Sequence, residues 1–173
     1  FNAGNDLIDT WINAIYTRTI NNPIVSGRMI NRGQKNSWYL LSAMDENSPY
    51  TIPGEEQSFS VSGGQSISNI YRFRRTLDEA SFFGLLVTDR RMVEGEGSGS
   101  VVGFDTRYKF NKTYQVEFQT LFSHTKEPQD SLLISNITFG DNNTFTFDGE
   151  SFTGNAVRSE ERRVGKECRS RWS

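Results

Sequence analysis

The chain has 173 residues with Lys+Arg 19 against Asp+Glu 21, one His, one Cys, 13 Phe, 15 Gly and only 4 Pro, a size that suits one domain or a piece of one. Its longest strongly apolar run, Phe82-Phe83-Gly84-Leu85-Leu86-Val87, falls far short of the roughly 18 residues a membrane-spanning helix needs, which excludes a helical integral membrane protein. No secretory signal is visible, but the chain begins at Phe1 rather than Met, so it is expected to be a fragment and its compartment is not read from this end.

Residues 5–13 place Leu7, Ile8, Trp11 and Ile12 on one face and are expected to form a short helix. Residues 14–20, 24–31 and 37–45 read as strands, with Asn21-Asn22-Pro23 breaking the first pair. Residues 31–36 form a short link. Residues 45–65, with Pro49, Pro53, Gly54, Gly63 and Gly64, form a long one.

From about residue 66 the apolar side chains recur at every second position, the period of a strand with one apolar face. Over residues 67–77, Ile67, Tyr71, Phe73 and Leu77 oppose Ser68, Ile70, Arg72, Arg74 and Thr76. Residues 81–90 are apolar on both faces in the middle but keep Phe83, Leu85 and Val87 on one side. Over residues 101–110, Val102, Phe104, Thr106, Tyr108 and Phe110 oppose Val101, Gly103, Asp105, Arg107 and Lys109. Over residues 114–125, Tyr114, Val116, Phe118 and Phe122 oppose Gln115, Glu117, Gln119, Ser123 and Thr125. Residues 132–139 and 144–147 read as further strands around Gly140-Asp141-Asn142-Asn143.

These runs approach about twice the five or six residues of an ordinary strand. Their connections alternate: Asp78-Glu79-Ala80 and Asn111-Lys112 are tight, whereas residues 91–100 and 126–131 are longer and polar. Short turns at one end and long loops at the other, with an aromatic face and a polar face, are the pattern of an outer-membrane barrel. The expected fold is all-β: a partial antiparallel up-and-down β-barrel of outer-membrane type, made of long hairpins, with about eight or nine strands and both ends truncated.

Three stretches carry a resemblance. Ala14-Ile15-Tyr16-Thr17-Arg18-Thr19-Ile20 is similar to an aromatic-Tyr-Ser-Arg-Arg-Ile element, with Thr19 where a second Arg is usual. Ser26-Gly27-Arg28 and Asn36-Ser37-Trp38-Tyr39 echo a Gly-Lys/Arg strand and its Trp-Ser-type return. The third and most specific runs from Tyr71-Arg72-Phe73-Arg74-Arg75 through Gly84-Leu85-Leu86-Val87-Thr88-Asp89-Arg90 to Val102-Gly103-Phe104-Asp105-Thr106-Arg107. Together, over residues 12–157, they resemble uncharacterised proteins in which a carbohydrate-binding-family-nine-like domain precedes an outer-membrane-barrel-like domain of unknown function. The resemblance implies the barrel and an upstream carbohydrate-binding portion lying before Phe1. It implies no activity, because that family has none assigned.

The candidate luminal polar residues are Arg72, Arg74, Arg90, Asp105, Arg107, Lys109 and Glu117, which share the polar face of the regular strands. In a barrel they would pair acids with guanidinium groups, fill the interior or line a wet path. Asp89-Arg90-Arg91 is read as a rim cluster, since Asp89 and Arg90 point to opposite faces. His124, the only histidine, has no second histidine and, once the adapter-like tail with Cys168 is set aside, no cysteine with which to build a metal cage. Asp105 and Glu117 are by type a glycosidase pair, but any β protein this acidic supplies such pairs. Residues 94–99 are acidic and lack the Lys-Ser/Thr of a phosphate cradle; residues 140–143 offer oxygen ligands without EF-hand spacing. No catalytic, cofactor-binding or metal residue is assigned, and no cofactor is expected.

Residues 158–173, Arg-Ser-Glu-Glu-Arg-Arg-Val-Gly-Lys-Glu-Cys-Arg-Ser-Arg-Trp-Ser, resemble the in-frame translation of a common short-read sequencing adapter and are expected to be an artefactual non-native tail, as contaminated metagenomic assembly would give. Without them Lys+Arg falls to 13, Asp+Glu to 18, the net charge moves from −2 to −5 and Cys168 disappears. The other reading is a basic tail that binds nucleic acid or a membrane surface.

The aromatic face fits a lipid-facing band or the inner layer of a soluble sandwich, and periodicity alone does not separate these. Loop asymmetry and the resemblance favour a channel or membrane anchor in the outer membrane of a Gram-negative bacterium. Its expected partners are outer-membrane lipid and, through the upstream domain, a glycan, with no nucleic acid. The alternative is a soluble β-sandwich that binds a glycan through residues 45–65; an enzyme using luminal carboxylates is the weakest reading.

Overall fold

A computed structural model describes residues 10, 12, 20, 22–53, 58–93, 97–110, 114–128 and 150–163. The chain is all-β. Seven strands form one antiparallel up-and-down sheet in the order β1 (Pro23–Arg32), β2 (Asn36–Asp45), β5 (Ser66–Thr76), β6 (Phe82–Met92), β7 (Ser98–Lys109), β8 (Tyr114–Lys126) and β9 (Ser151–Arg163). A separate hairpin, β3 (Pro49–Pro53) and β4 (Ser58–Ser62), lies in the connection from β2 to β5. The sheet is not closed: β1 and β9 are its two edges.

Tight connections gather at one end. Gly33 N–H donates to Asn36 O at 3.0 Å between β1 and β2, and Phe110 N–H donates to Tyr114 O at 3.1 Å between β7 and β8. Between β5 and β6 the Asp78 carboxylate accepts the N–H groups of Ala80 at 2.9 Å and Ser81 at 2.7 Å, an Asx turn that satisfies donors the ladder leaves free. The opposite end carries the β2–β5, β6–β7 and β8–β9 connections.

Burial divides the sheet into two unlike faces. On one, Tyr39, Leu41, Ile70 and Leu86 form an apolar cluster with Ile20 packed against it. The register aligns Tyr39 with Arg72 and Leu86 with both Arg72 and Gly103, so this cluster grades directly into the charged rows. Full burial of each aliphatic member is worth about 1.5–3 kcal/mol relative to exposure. The other face is open: Leu40, Tyr71, Leu85, Val102, Phe104 and Phe122 all stay substantially exposed. Ile20, packed on the cluster, and Ile12, bonded to Gln119, lie on the buried face.

The elements depart from the sequence reading in three places, and some of the expected elements are not among the described residues. The expected helix over 5–13 and the strands over 14–20, 132–139 and 144–147 lie outside the described residues, apart from Thr10, Ile12 and Ile20. The long link over 45–65 contains the β3–β4 hairpin, with the prolines of β3 at its first and last positions, where a missing N–H is tolerated. Half of the link over 91–100 is strand: Arg91 and Met92 end β6, and Ser98, Gly99 and Ser100 continue the ladder against Arg91, Arg90 and Asp89, with Met92 N–H donating to Gly97 O at 2.8 Å. Their loop-like composition yields to pairing on both sides, against β6 and β8. Finally β9, which the sequence reading did not anticipate, pairs with β8 from Ser151 to Arg163 and so runs through the 157/158 boundary of the adapter-like tail.

Candidate functional site

The buried face carries the chemistry. Ladder register places Ser37, Arg74, Gly84, Asp105, Gln119 and Arg158 in one row across the sheet. The next row toward the short turns holds Thr76, Phe82, Arg107, Glu117 and Glu160. Arg72, Arg74, Arg90, Asp105, Arg107, Lys109 and Glu117 all share this face, because each lies an even number of ladder steps from the others. They do not form one cluster. Arg90 sits toward the long-loop end beside Ser68 and Gly99, while Arg74, Asp105, Arg107, Lys109 and Glu117 lie toward the short turns.

Arg72, 1% exposed, spans β6 to meet Asp105 on β7. Its Nη1 bonds Asp105 Oδ1, and its Nη2 donates to Oδ2 at 2.7 Å, a bidentate fork. The crossing exists because Gly84 lies beneath it: a Cβ there would stand 2.6 Å from Asp105 Oδ1 and 2.7 Å from Arg72 Nη1. Any side chain at 84 would occupy the space of the pair.

Around Phe82 the guanidinium groups of two strands converge. Arg74 Cζ lies 3.8 Å from the ring centroid and Arg107 Cζ 5.4 Å, both within cation–π range. Arg107 Nε donates to Glu117 Oε1 at 2.8 Å, and Gln115 Nε2 donates to the same oxygen at 2.6 Å. Gln119, fully buried, pairs with the backbone of Ile12: its Oε1 accepts Ile12 N–H at 2.6 Å and its Nε2 donates to Ile12 O at 3.2 Å. This side-chain amide imitates a strand neighbour and holds the chain near residue 12 on the sheet. Thr10, whose hydroxyl donates to Ile12 O at 2.7 Å, completes the wall of a groove of about 320 Å³ lined also by Arg74, Phe82, Asp105, Arg107 and Glu117.

The sequence reading missed Phe82, Gln119, Thr10 and Gly84. Gly84 offered only a weak signal, a glycine inside a strand, since its register between Arg74 and Asp105 is fixed by the ladders and not by the sequence. Gln119 and Thr10 had none, because their roles depend on a contact 107 residues apart between Ile12 and Gln119.

Other candidates fall elsewhere. Asp89 faces the open side, where it accepts Arg91 Nε at 3.1 Å and Ser100 Oγ at 2.7 Å, and the adjacent Arg90 faces the buried side. His124 lies exposed in the open-face row with Ser100 and Thr153. Asp105 and Glu117 are each engaged by an arginine on a neighbouring strand or the next but one. Residues 140–143 lie outside the described residues, and no group of three metal-ligating side chains occurs among those described. No protein family, curated protein or solved structure matches the chain.

Proposed function

We propose that this chain is a segment of an outer-membrane β-barrel from a Gram-negative bacterium, serving as a channel or as the membrane anchor of a carbohydrate-recognising protein. The reading is carried by the open face. Row by row it presents Leu40, Tyr71, Val87, Val102 and Phe122, then Trp38, Phe73, Leu85 and Phe104, with no second sheet packed on it among the described residues. An uncovered apolar surface of this extent on one sheet calls for lipid or a partner layer. From Val102 to Tyr108 along β7 the band runs about 20 Å at about 3.4 Å per residue, about 15 Å of height at a barrel tilt of about 40°, a large part of the roughly 25 Å belt of a transmembrane barrel. At the long-loop end it stops at a polar row of Ser42, Asn69, Asp89, Ser100, His124 and Thr153. Lipid is then the partner of the open face, the charged face lines the interior, and a glycan is met through an upstream domain.

Cysteine scanning along β7 and β8, in a cysteine-free background with Cys168→Ser wherever the tail is kept, tests this directly. Membrane-embedded protein is expected to protect V102C, F104C and F122C from a water-soluble maleimide while L121C and Q119C report the interior. Recovery in the soluble fraction without detergent, with uniform labelling of the open face, would overturn the barrel in favour of a soluble glycan-binding module using residues 45–65.

A further inference from the structure

β1 ends the sheet with apolar side chains on both of its faces. Among the described residues it has a strand neighbour on one side only, β2. Nine of its ten residues are exposed, so its outer side is open to another strand. Val25 and Met29 lie on the open face, opposite Met44 and Leu40, and are 62% and 59% exposed. Ile30 lies on the other face opposite Tyr39, and Ile24 stands at the bulge that opens the strand; both are exposed. Pro23 takes the first position, where a missing N–H interrupts nothing, so the rest of the edge offers its backbone donors and acceptors.

The sequence of β1 restricts what pairs there. Its only charges are Arg28 and Arg32, so a partner that sets a cation opposite either is repelled. Apolar residues must meet apolar ones on the same face, and a slip of one residue loses this. An identical antiparallel strand meets both conditions about a two-fold axis at Gly27. Val25 then lies opposite Met29 of the second copy, Arg28 opposite Ser26, and Ile30 against Ile24, while Arg32 falls beyond Pro23. Neighbouring registers fail. An axis at Ser26 sets Ile24 against Arg28, one at Arg28 sets two guanidinium groups directly opposite, and one at Met29 sets Arg28 against Ile30. β9, the other edge, presents Val157 alone as an apolar residue on the open face before the adapter-like tail, too little to cover both Val25 and Met29.

The geometry points to a self-association surface: β1 pairs antiparallel with β1 of a second copy about a two-fold axis at Gly27, joining two seven-stranded sheets edge to edge. Such a contact is isologous and closes on itself without a second surface. The axis passes through the sheet, so both open faces stay on one side while strand direction reverses between copies. The pairing therefore belongs to the chain outside a bilayer, and it goes beyond the membrane reading without resting on it.

Sedimentation of the 173-residue chain in detergent micelles, which cover the open face without imposing a direction, tests the pairing. A concentration-dependent monomer–dimer equilibrium is expected. Met29→Lys sets a cation among the apolar side chains of the joint and is expected to weaken association about tenfold or more. Gly27→Cys, at a position where a Cβ meets nothing within 4 Å, places two thiols across the axis. Their Cα atoms stand about 4.5–5.5 Å apart, within disulfide reach, so mild oxidation in a Cys168→Ser background is expected to give a covalent dimer. Asn31→Cys in the same background lies about 27 Å from its counterpart, at 3.4 Å per residue, and gives none. The contrast between Gly27→Cys and Asn31→Cys decides the register even where Met29→Lys fails to fold. A monomer at every concentration, association unmoved by Met29→Lys, or cross-linking as complete at Asn31 as at Gly27 would overturn the pairing. Maleimide protection reads membrane insertion separately, so failure of either inference leaves the other standing.

Discussion

Arg72 and Asp105 meet across an intervening strand, and Gly84 on that strand is what lets them. Two charges taken out of water gain little net stability from each other, but removing one partner strands the other. Asp105→Ala is therefore expected to destabilise the folded chain by about 3–5 kcal/mol, whereas the double change Arg72→Met with Asp105→Leu returns most of that loss. Gly84→Ala should cost about 1–3 kcal/mol in the native background, by overpacking, and less when Arg72 and Asp105 are both alanine. Denaturant titration of the five variants gives the coupling directly; equal costs of Gly84→Ala in both backgrounds would show that the pair does not depend on the glycine.

The open face leads to a depth-dependent prediction. Phe104, in the middle of the apolar rows, becomes an uncompensated cation at the bilayer midplane in Phe104→Arg, which costs about 2–4 kcal/mol on the lipid face of a barrel. His124→Arg, in the polar row, is expected to cost no more than about 1 kcal/mol. Folding equilibria in phospholipid vesicles measure both. Similar costs for the two would argue against burial of this face in lipid.

The period-two alternation made β5, β6, β7 and β8 legible, and with them the face of every charged residue, because register parity is fixed once the strands pair. Pairing partners were less legible. Ser98, Gly99 and Ser100 have the composition of a loop and join the ladder because β6 and β8 offer hydrogen bonds on either side. The groove was invisible for a different reason: Phe82, Arg74, Arg107 and Gln119 come together through three cross-strand registers and the docking of Ile12, none of which leaves a local pattern. The Arg72–Asp105 pair lay between. Both residues read as facing one way, but nothing in their spacing indicated that the pair would skip a strand.

Asp78 gives the turn between β5 and β6 a pH dependence. Its carboxyl is held below the ordinary carboxylate range, first by the Ala80 N–H and then by the Ser81 side chain, against an opposing desolvation, with smaller help from the Ser81 N–H and Lys109. A folded-state pKa lowered beneath the unfolded one contributes stability that is present above the unfolded value, near 3.8, and is lost as pH falls through the folded value. Asp78→Asn is expected to flatten the stability profile in the acid range below about pH 4 and to leave its shape near neutrality unchanged. Thermal unfolding followed across that range reads the difference; identical acid limbs for the two proteins would rule the contribution out.

The adapter-like tail makes the last case. Residues 158–163 add their backbone to the ladder against Tyr114–Gln119, yet Arg158 and Ser159 are exposed and the strand lies at the sheet edge. Ladder hydrogen bonds contribute about 0.5–1.5 kcal/mol each net of water, while ordering each residue costs about 1–2 kcal/mol, so an edge extension without buried apolar area comes out near zero. Ending the chain after Val157 is therefore expected to change the unfolding free energy by less than about 1 kcal/mol. The Gln119 amide stays bonded to Ile12 rather than to its ladder neighbour's side chain, so the groove wall survives the loss of Arg158. A loss of several kcal/mol on truncation would instead make the tail an integral part of β9.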